Sequence, residues 1–147
     1  MYKTILVPLD GSKRAERILS HVEEVAQYNE ANVIFLQVIE PNHYVVGPHG
    51  AGVDVELFNN REEKAKKYLT CLQGEFCEKG ITTHHLIEKG SVVRRIIDVA
   101  ECVNADLIAM ASHGRTGLSH VFYGSVAAGV LHRIDRPLLL VRAEGNS

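Results

Sequence analysis

The sequence predicts a doubly wound α/β fold: a five-stranded parallel sheet in the order 3-2-1-4-5 with helices on both faces, a Rossmann-like architecture. Two observations carry this. The strand-like segments are apolar at nearly every position, as in "KTILVPL" and "NVIFLQVIE", and strands without alternation are strands buried on both faces. They also alternate with segments of helical period, which implies a parallel sheet covered on each side. Right-handed crossovers then leave few topologies, and the winding reverses between strands 1 and 4. With 147 residues, the chain suits a single domain, residues 1–147, and needs no disulfide or metal staple to hold a core.

Each element has its own signal. Lys3–Leu9 is a short apolar run stopped by "DGS", a strand and a turn. From Lys13 to Tyr28, apolar residues at Ala15, Ile18, Leu19, Val22, Val25 and Ala26 fall at helical spacing, with Ser12 as the expected N-cap. Asn32–Glu40 is the second strand. Residues Pro41 to Phe58 bring two prolines and three glycines (Pro41, Pro48, Gly47, Gly50, Gly52) and read as a long loop, a class of loop that tends to be functional. Helical spacing resumes over Asn59–Glu78, with Gly80 as the stop. Ile81–Gly90 is strand 3, Ser91–Asn104 a helix, Ala105–Ser112 strand 4, Gly124–Ile134 a helix, and Arg136–Ala143 strand 5.

Composition removes several functional classes. A net charge of -2 leaves no basic footprint for nucleic acid. No apolar run reaches the ~20 residues of a membrane span, and the first residues read as a strand, not a targeting segment. Cys71, Cys77 and Cys102 lack CxxC spacing, so they are expected as semi-buried free thiols in a reducing cytoplasm. His84 and His85 are adjacent and point to opposite faces of their strand. Nothing in the eight histidines has the spacing of a metal site, and no nucleophile elbow or catalytic triad is legible.

The informative stretches lie where the topology makes a crevice. Ligands of such sheets bind at the carboxyl ends of the strands, at the switch point. There "PLDGS" (Pro8–Ser12) ends strand 1 and "MASHG" (Met110–Gly114) ends strand 4. Gly124-Ser125 then opens a helix, and the free amides of Gly124, Ser125 and Val126 make a candidate anion site. Arg115, His113 and His120 add possible positive charge. The same glycines also suit a plain strand-to-helix turn. Asp10 has two readings: a ligand-binding carboxylate, or the cap of its own Asp-Gly turn. Asp106 reads as a turn residue at the opposite end of the sheet. There is no P-loop, and no GxGxxG follows strand 1.

These segments together resemble the universal stress protein family over nearly the whole chain. The resemblance rests on "ILVPLDGS", "LQVIE", "EKGSVVRRIIDVAECVNADLIAMASHGRTGL", "GSVAAGVL" and "RPLLLVR", in that order. The ATP-binding branch of the family carries G-2x-G-9x-G-[ST]. Here the second and third glycines are Gly114 and Gly124, followed by Ser125, while the first position is Ala111. Alanine there is costly if the backbone needs a positive φ, and tolerable if the position is only a crowded strand end. A second departure, Val92 where the family often has proline, is expected to concern only how the helix begins.

The resemblance implies ATP, AMP or ADP as ligand, with Mg²⁺ bridging the phosphates. Pro8, Asp10 and Val38 would hold adenine and ribose, and Met110 and Ala111 would form the floor. Gly114, Arg115, Gly124, Ser125 and Val126 would take the phosphates. It implies a stress-response or regulatory role and a homodimer through the last strand, Pro137–Arg142, an apolar edge that a monomer would have to protect. Two alternatives accompany it: a dimeric interaction module without nucleotide, and a slow ATPase or phosphotransferase.

Overall fold

The computed structural model describes residues 1–41, 45–47, 50–52, 55–113 and 124–143. In chain order the elements are β1 (Thr4–Leu9), α1 (Leu19–Asn29), β2 (Asn32–Ile39), β3 (Val45–Gly47), β4 (Gly50–Gly52), α2 (Val55–Glu78), β5 (Thr83–Lys89), α3 (Val92–Cys102), β6 (Leu107–His113), α4 (Ser125–Arg133) and β7 (Leu138–Ala143). The main sheet has five strands in the order β5-β2-β1-β6-β7. Every neighbouring pair is parallel. Numbering those five strands along the chain gives 3-2-1-4-5, as the sequence predicts.

Alternation inside the apolar strands builds two cores. Ile5, Val7, Val33, Phe35, Leu107 and Ala109 face one side and pack with Val22 and Ala26 of α1 and Leu69, Leu72 and Phe76 of α2. Leu6, Leu36, Ile108 and Met110 face the other side and meet Ile96, Val99 and Ala100 of α3 and Ala127 and Val130 of α4. Burial on both faces is why these strands lack a polar period.

Strands β1 and β2 stay paired from Thr4↔Asn32 to Leu9↔Gln37. Strands β1 and β6 pair only at Ile5↔Leu107 and Leu6↔Ile108. Their carboxyl ends therefore part, and the winding reverses across this same gap. At the opposite end the two strands are pinned. Asp106 accepts hydrogen bonds from the backbone N–H groups of Lys3 (2.7 Å) and Thr4 (2.9 Å). These two donors hold its carboxyl below the usual carboxylate range.

Four expectations need correction. The helix expected over Lys13–Tyr28 is a 3₁₀ turn, Ala15–Ile18, followed by α1. Ser12 caps that turn and not an α-helix: its Oγ accepts from the Ala15 N–H at 3.1 Å. The stretch expected as loop holds an antiparallel hairpin, β3–β4, and α2 starts at Val55, four residues before Asn59. Glycines at Gly47, Gly50 and Gly52 hide the strand period, because they carry no side chains to alternate. Finally, Cys71, Cys77 and Cys102 are exposed free thiols, on the outward faces of α2 and α3. Gly80 does end its helix as expected: at φ +79, its N–H bonds to the Cys77 carbonyl at 3.0 Å.

Candidate functional site

The parted ends of β1 and β6 form one wall of a cavity of about 210 Å³. Pro8 and Asp10 come from β1 and the turn after it, Leu36 and Val38 from β2, and Met110, Ala111 and Ser112 from β6. Val92 and Ile96 of α3 and Gly124, Val126 and Ala127 at the start of α4 close the other side, and Arg14 and Ala15 stand at the rim. Of the ten residues the sequence assigns to the site, seven thus meet around one cavity: Pro8, Asp10, Val38, Met110, Ala111, Gly124 and Val126. Ser125 is exposed at the first position of α4 and is not part of the lining. Gly114 and Arg115 lie outside the described residues, as does His120.

Local chemistry explains the placements. Asp10 Oδ1 accepts from both the Ser12 N–H (2.8 Å) and the Ser12 hydroxyl (2.5 Å). Gly11 passes through this turn at φ +85. The turn-cap reading of Asp10 is therefore correct, and the same turn sets Asp10 and Arg14 at the cavity rim. Gly124 is the N-cap of α4 with φ 75 and ψ 146, a backbone that favours glycine. The first intrahelical bond runs from the Ala128 N–H to the Gly124 carbonyl at 3.0 Å. Among the described residues no side chain caps this end, and the amides of Ser125, Val126 and Ala127, which precede the first intrahelical bond, have no helical partners.

Ala111 has a plain answer. Among the described residues, the non-glycine positions with positive φ are Glu30 and Asn104. Ala111 is extended strand, in register with Val141 of β7. Its methyl adds bulk beside the cavity and no backbone strain.

The sequence reading missed Arg14, Leu36 and Ile96, and it confined Val92 to the start of its helix, whereas Val92 also lines the cavity. Leu36 and Ile96 carry no signal beyond core periodicity. Arg14 follows "DGS" by two residues, and the turn carries it to the cavity rim. Chemically the cavity offers apolar walls for a flat ring. Its rim adds one carboxylate and one guanidinium among the described lining residues, with helix amides beside them.

The universal stress protein family model matches residues 1–142. The chain belongs to the universal stress protein family. Universal stress protein MJ0577 of Methanocaldococcus jannaschii is 31% identical, with 99% of this chain and 98% of the relative aligned. The solved structure of MJ0577 superposes with a TM-score of 0.85 at 32% identity, covering 99% of each chain. Two further universal stress protein structures share the fold. One is a complex with cAMP (TM-score 0.74, 21% identity, 97% and 98% covered). The other, from Archaeoglobus fulgidus, is a complex with dAMP (TM-score 0.68, 21% identity, 95% and 97% covered). Among the described residues, no helix is long and apolar enough to cross a membrane.

Proposed function

We propose that this universal stress protein binds an adenine nucleotide, ATP before ADP or AMP, and acts as a regulatory or stress-response protein. The observation that carries the reading is convergence: seven residues chosen from four separated sequence segments line one cavity at the switch point, beside the start of α4. Pro8, Val38 and Met110 would pack on adenine, and Asp10 would accept from ribose or base. Gly124, Ser125 and Val126 would give amides to the phosphates, since a helix N-terminus favours an anion. The family motif alone adds Gly114 and Arg115 to that side. Adenine-nucleotide complexes among family structures support the choice of ligand.

Asp10 is the one carboxylate among the described lining residues, so Mg²⁺ would be held chiefly by phosphate oxygens and would arrive with the nucleotide. Its chemistry there is charge neutralisation. The reading also takes residues 1–147 as one domain, acting in the cytoplasm as a homodimer through Pro137–Arg142. Support for the dimer is the position of β7 at the sheet edge, with Leu138, Leu139, Leu140 and Val141 only half-buried.

A second reading, an interaction module without nucleotide, is favoured by the methyl of Ala111 beside the cavity. One experiment separates the two. Protein purified without added nucleotide is denatured, and the released small molecules are identified by mass spectrometry. ATP with Mg²⁺ is then titrated by calorimetry. Released adenine nucleotide, or an isotherm lost in Gly124→Val, is the expected result. A blank in both, with the protein folded, refutes nucleotide binding and leaves the interaction module.

A further inference from the structure

The candidate cavity does not close behind Val38. A cleft of about 410 Å³ continues from it over the end of β2 toward α2, and Asp10, Val38 and Val92 line both. Among the described residues, neither β6 nor α4 contributes to this cleft. A nucleotide with its phosphates at the start of α4 thus turns the far edge of its base toward the Asp10–Val38–Val92 boundary and the cleft beyond.

Past that boundary stands Gln37, the polar exception in the apolar β2. It pairs in register with Leu9, the residue before Asp10, which places it at the carboxyl end of the sheet. Gln37 Oε1 is buried and has no hydrogen-bond partner. Its Nε2 lies 3.9 Å from where a Cβ of Gly11 would stand. Buried acceptors are nearly always paired, so Oε1 asks for a donor.

The donors that line the cleft are engaged elsewhere. The Tyr68 hydroxyl has one proton and gives it to the Glu16 carboxylate. Arg61 is held by donating from Nη1 to the Glu40 carbonyl at 2.8 Å. Lys64 is exposed. A ligand can supply what these do not. The edge of adenine carries a donor, its 6-amino group. Hypoxanthine carries an oxo group at the same position and would set two acceptors against each other.

We propose, on the nucleotide reading above, that Gln37 is the residue that reads the base: its Oε1 accepts from the 6-amino group of adenine, and the cleft leaves room for a substituent on that amine. The site then selects 6-aminopurine nucleotides and tolerates one methyl on the amino nitrogen, because a secondary amine keeps one N–H.

The test is calorimetry on the full chain with three nucleotides, each with Mg²⁺: ATP, inosine triphosphate (ITP) and the analogue of ATP with a 6-methylamino group. ATP should bind at least about tenfold tighter than ITP, since a site built to bond a polar group rejects the analogue without it. The 6-methylamino analogue should bind as tightly as ATP. Gln37→Leu should bring ATP down to the affinity of ITP and leave ITP unchanged. ITP bound as tightly as ATP by the parent is the result if water satisfies Oε1; it overturns the role of Gln37 and leaves the nucleotide reading standing. A preference for ATP that survives Gln37→Leu overturns it as well, and so does rejection of the 6-methylamino analogue. Absence of binding by all three nucleotides, with the protein folded, overturns the nucleotide reading itself and the role of Gln37 with it.

Discussion

Gly129 is the point where α4 leans on α3, and replacing it with alanine isolates the energy of that contact. A Cβ built at Gly129 would stand 2.8 Å from Val93 Cγ2, 3.2 Å from Cγ1 and 3.5 Å from Cβ. Val93 lies on α3 and is β-branched, so its side chain is confined to essentially one rotamer and cannot swing aside. The helices must separate, and overpacking of this kind costs roughly 1–3 kcal/mol. Against it stands the helix propensity of alanine over glycine, about 1 kcal/mol. The control is Gly74→Ala in α2, where a new Cβ meets nothing within 4 Å. That variant keeps the propensity gain alone and should melt roughly 2–4 °C higher than the parent. Gly129→Ala should be less stable than Gly74→Ala by about 1–3 kcal/mol in urea unfolding. Adding Val93→Ala should reverse part of the loss, as expected for two residues in contact. Since α3 and α4 form a wall of the candidate site, Gly129→Ala should also weaken ATP, and Gly74→Ala should not. Equal stabilisation by both glycine replacements would refute the packing argument.

Three other perturbations test separate parts of the structure. Arg136 donates from Nη1 to the carbonyls of Ala100 (2.7 Å) and Ala105 (3.1 Å), tying the end of α3 to the start of β7. Arg136→Gln should cost roughly 1.5–3 kcal/mol of unfolding free energy; a loss under half that in chemical denaturation would show these bonds to be replaceable by water. Asp106 has a lowered carboxyl pKa in the folded protein because Lys3 and Thr4 N–H groups bond to it. Its contribution is therefore present above the unfolded value, about 4, and is lost as pH falls through the folded value. Asp106→Asn should flatten the acid limb of the stability curve, and an unchanged limb contradicts the assignment. Arg14 at the rim should read charge: Arg14→Gln should weaken ATP about tenfold or more while leaving adenosine within about twofold, an electrostatic loss confined to the phosphorylated ligand. A parallel loss of both would make Arg14 structural.

The parts of this molecule that the sequence discloses are those where one physical cause dominates. Burial on both faces writes itself as unbroken apolar runs, so the five strands and their order are legible. A left-handed backbone asks for glycine, so Gly80 and Gly124 mark helix ends that the structure confirms. Elsewhere two causes compete. Residues Ala15–Ile18 have helical spacing, yet the Asp10–Ser12–Ala15 bonds wind them as a 3₁₀ turn. Asp10 itself is both turn cap and cavity lining, two roles the sequence presents as alternatives. Arg14 follows that turn and stands at the cavity rim, a position that its place in the sequence does not disclose.

Ala111 shows how far a motif can be trusted. The family pattern places glycine there, and glycine can mean a backbone no other residue adopts or merely the absence of a methyl. The structure selects the second meaning, because Ala111 is extended and paired along β6–β7. A methyl in a strand stabilises it relative to glycine by roughly 0.5–1 kcal/mol. Ala111→Gly should therefore lower stability by about that amount, and should change ATP affinity by less than about tenfold, or 1.4 kcal/mol. Calorimetry of the two proteins side by side measures both the affinity and its enthalpy. If instead Ala111→Gly turns an undetectable isotherm into a strong one, the methyl is a block. The cavity would then be a nucleotide site closed by one carbon atom, and the seven converging residues would mark an inherited shape and not a working function.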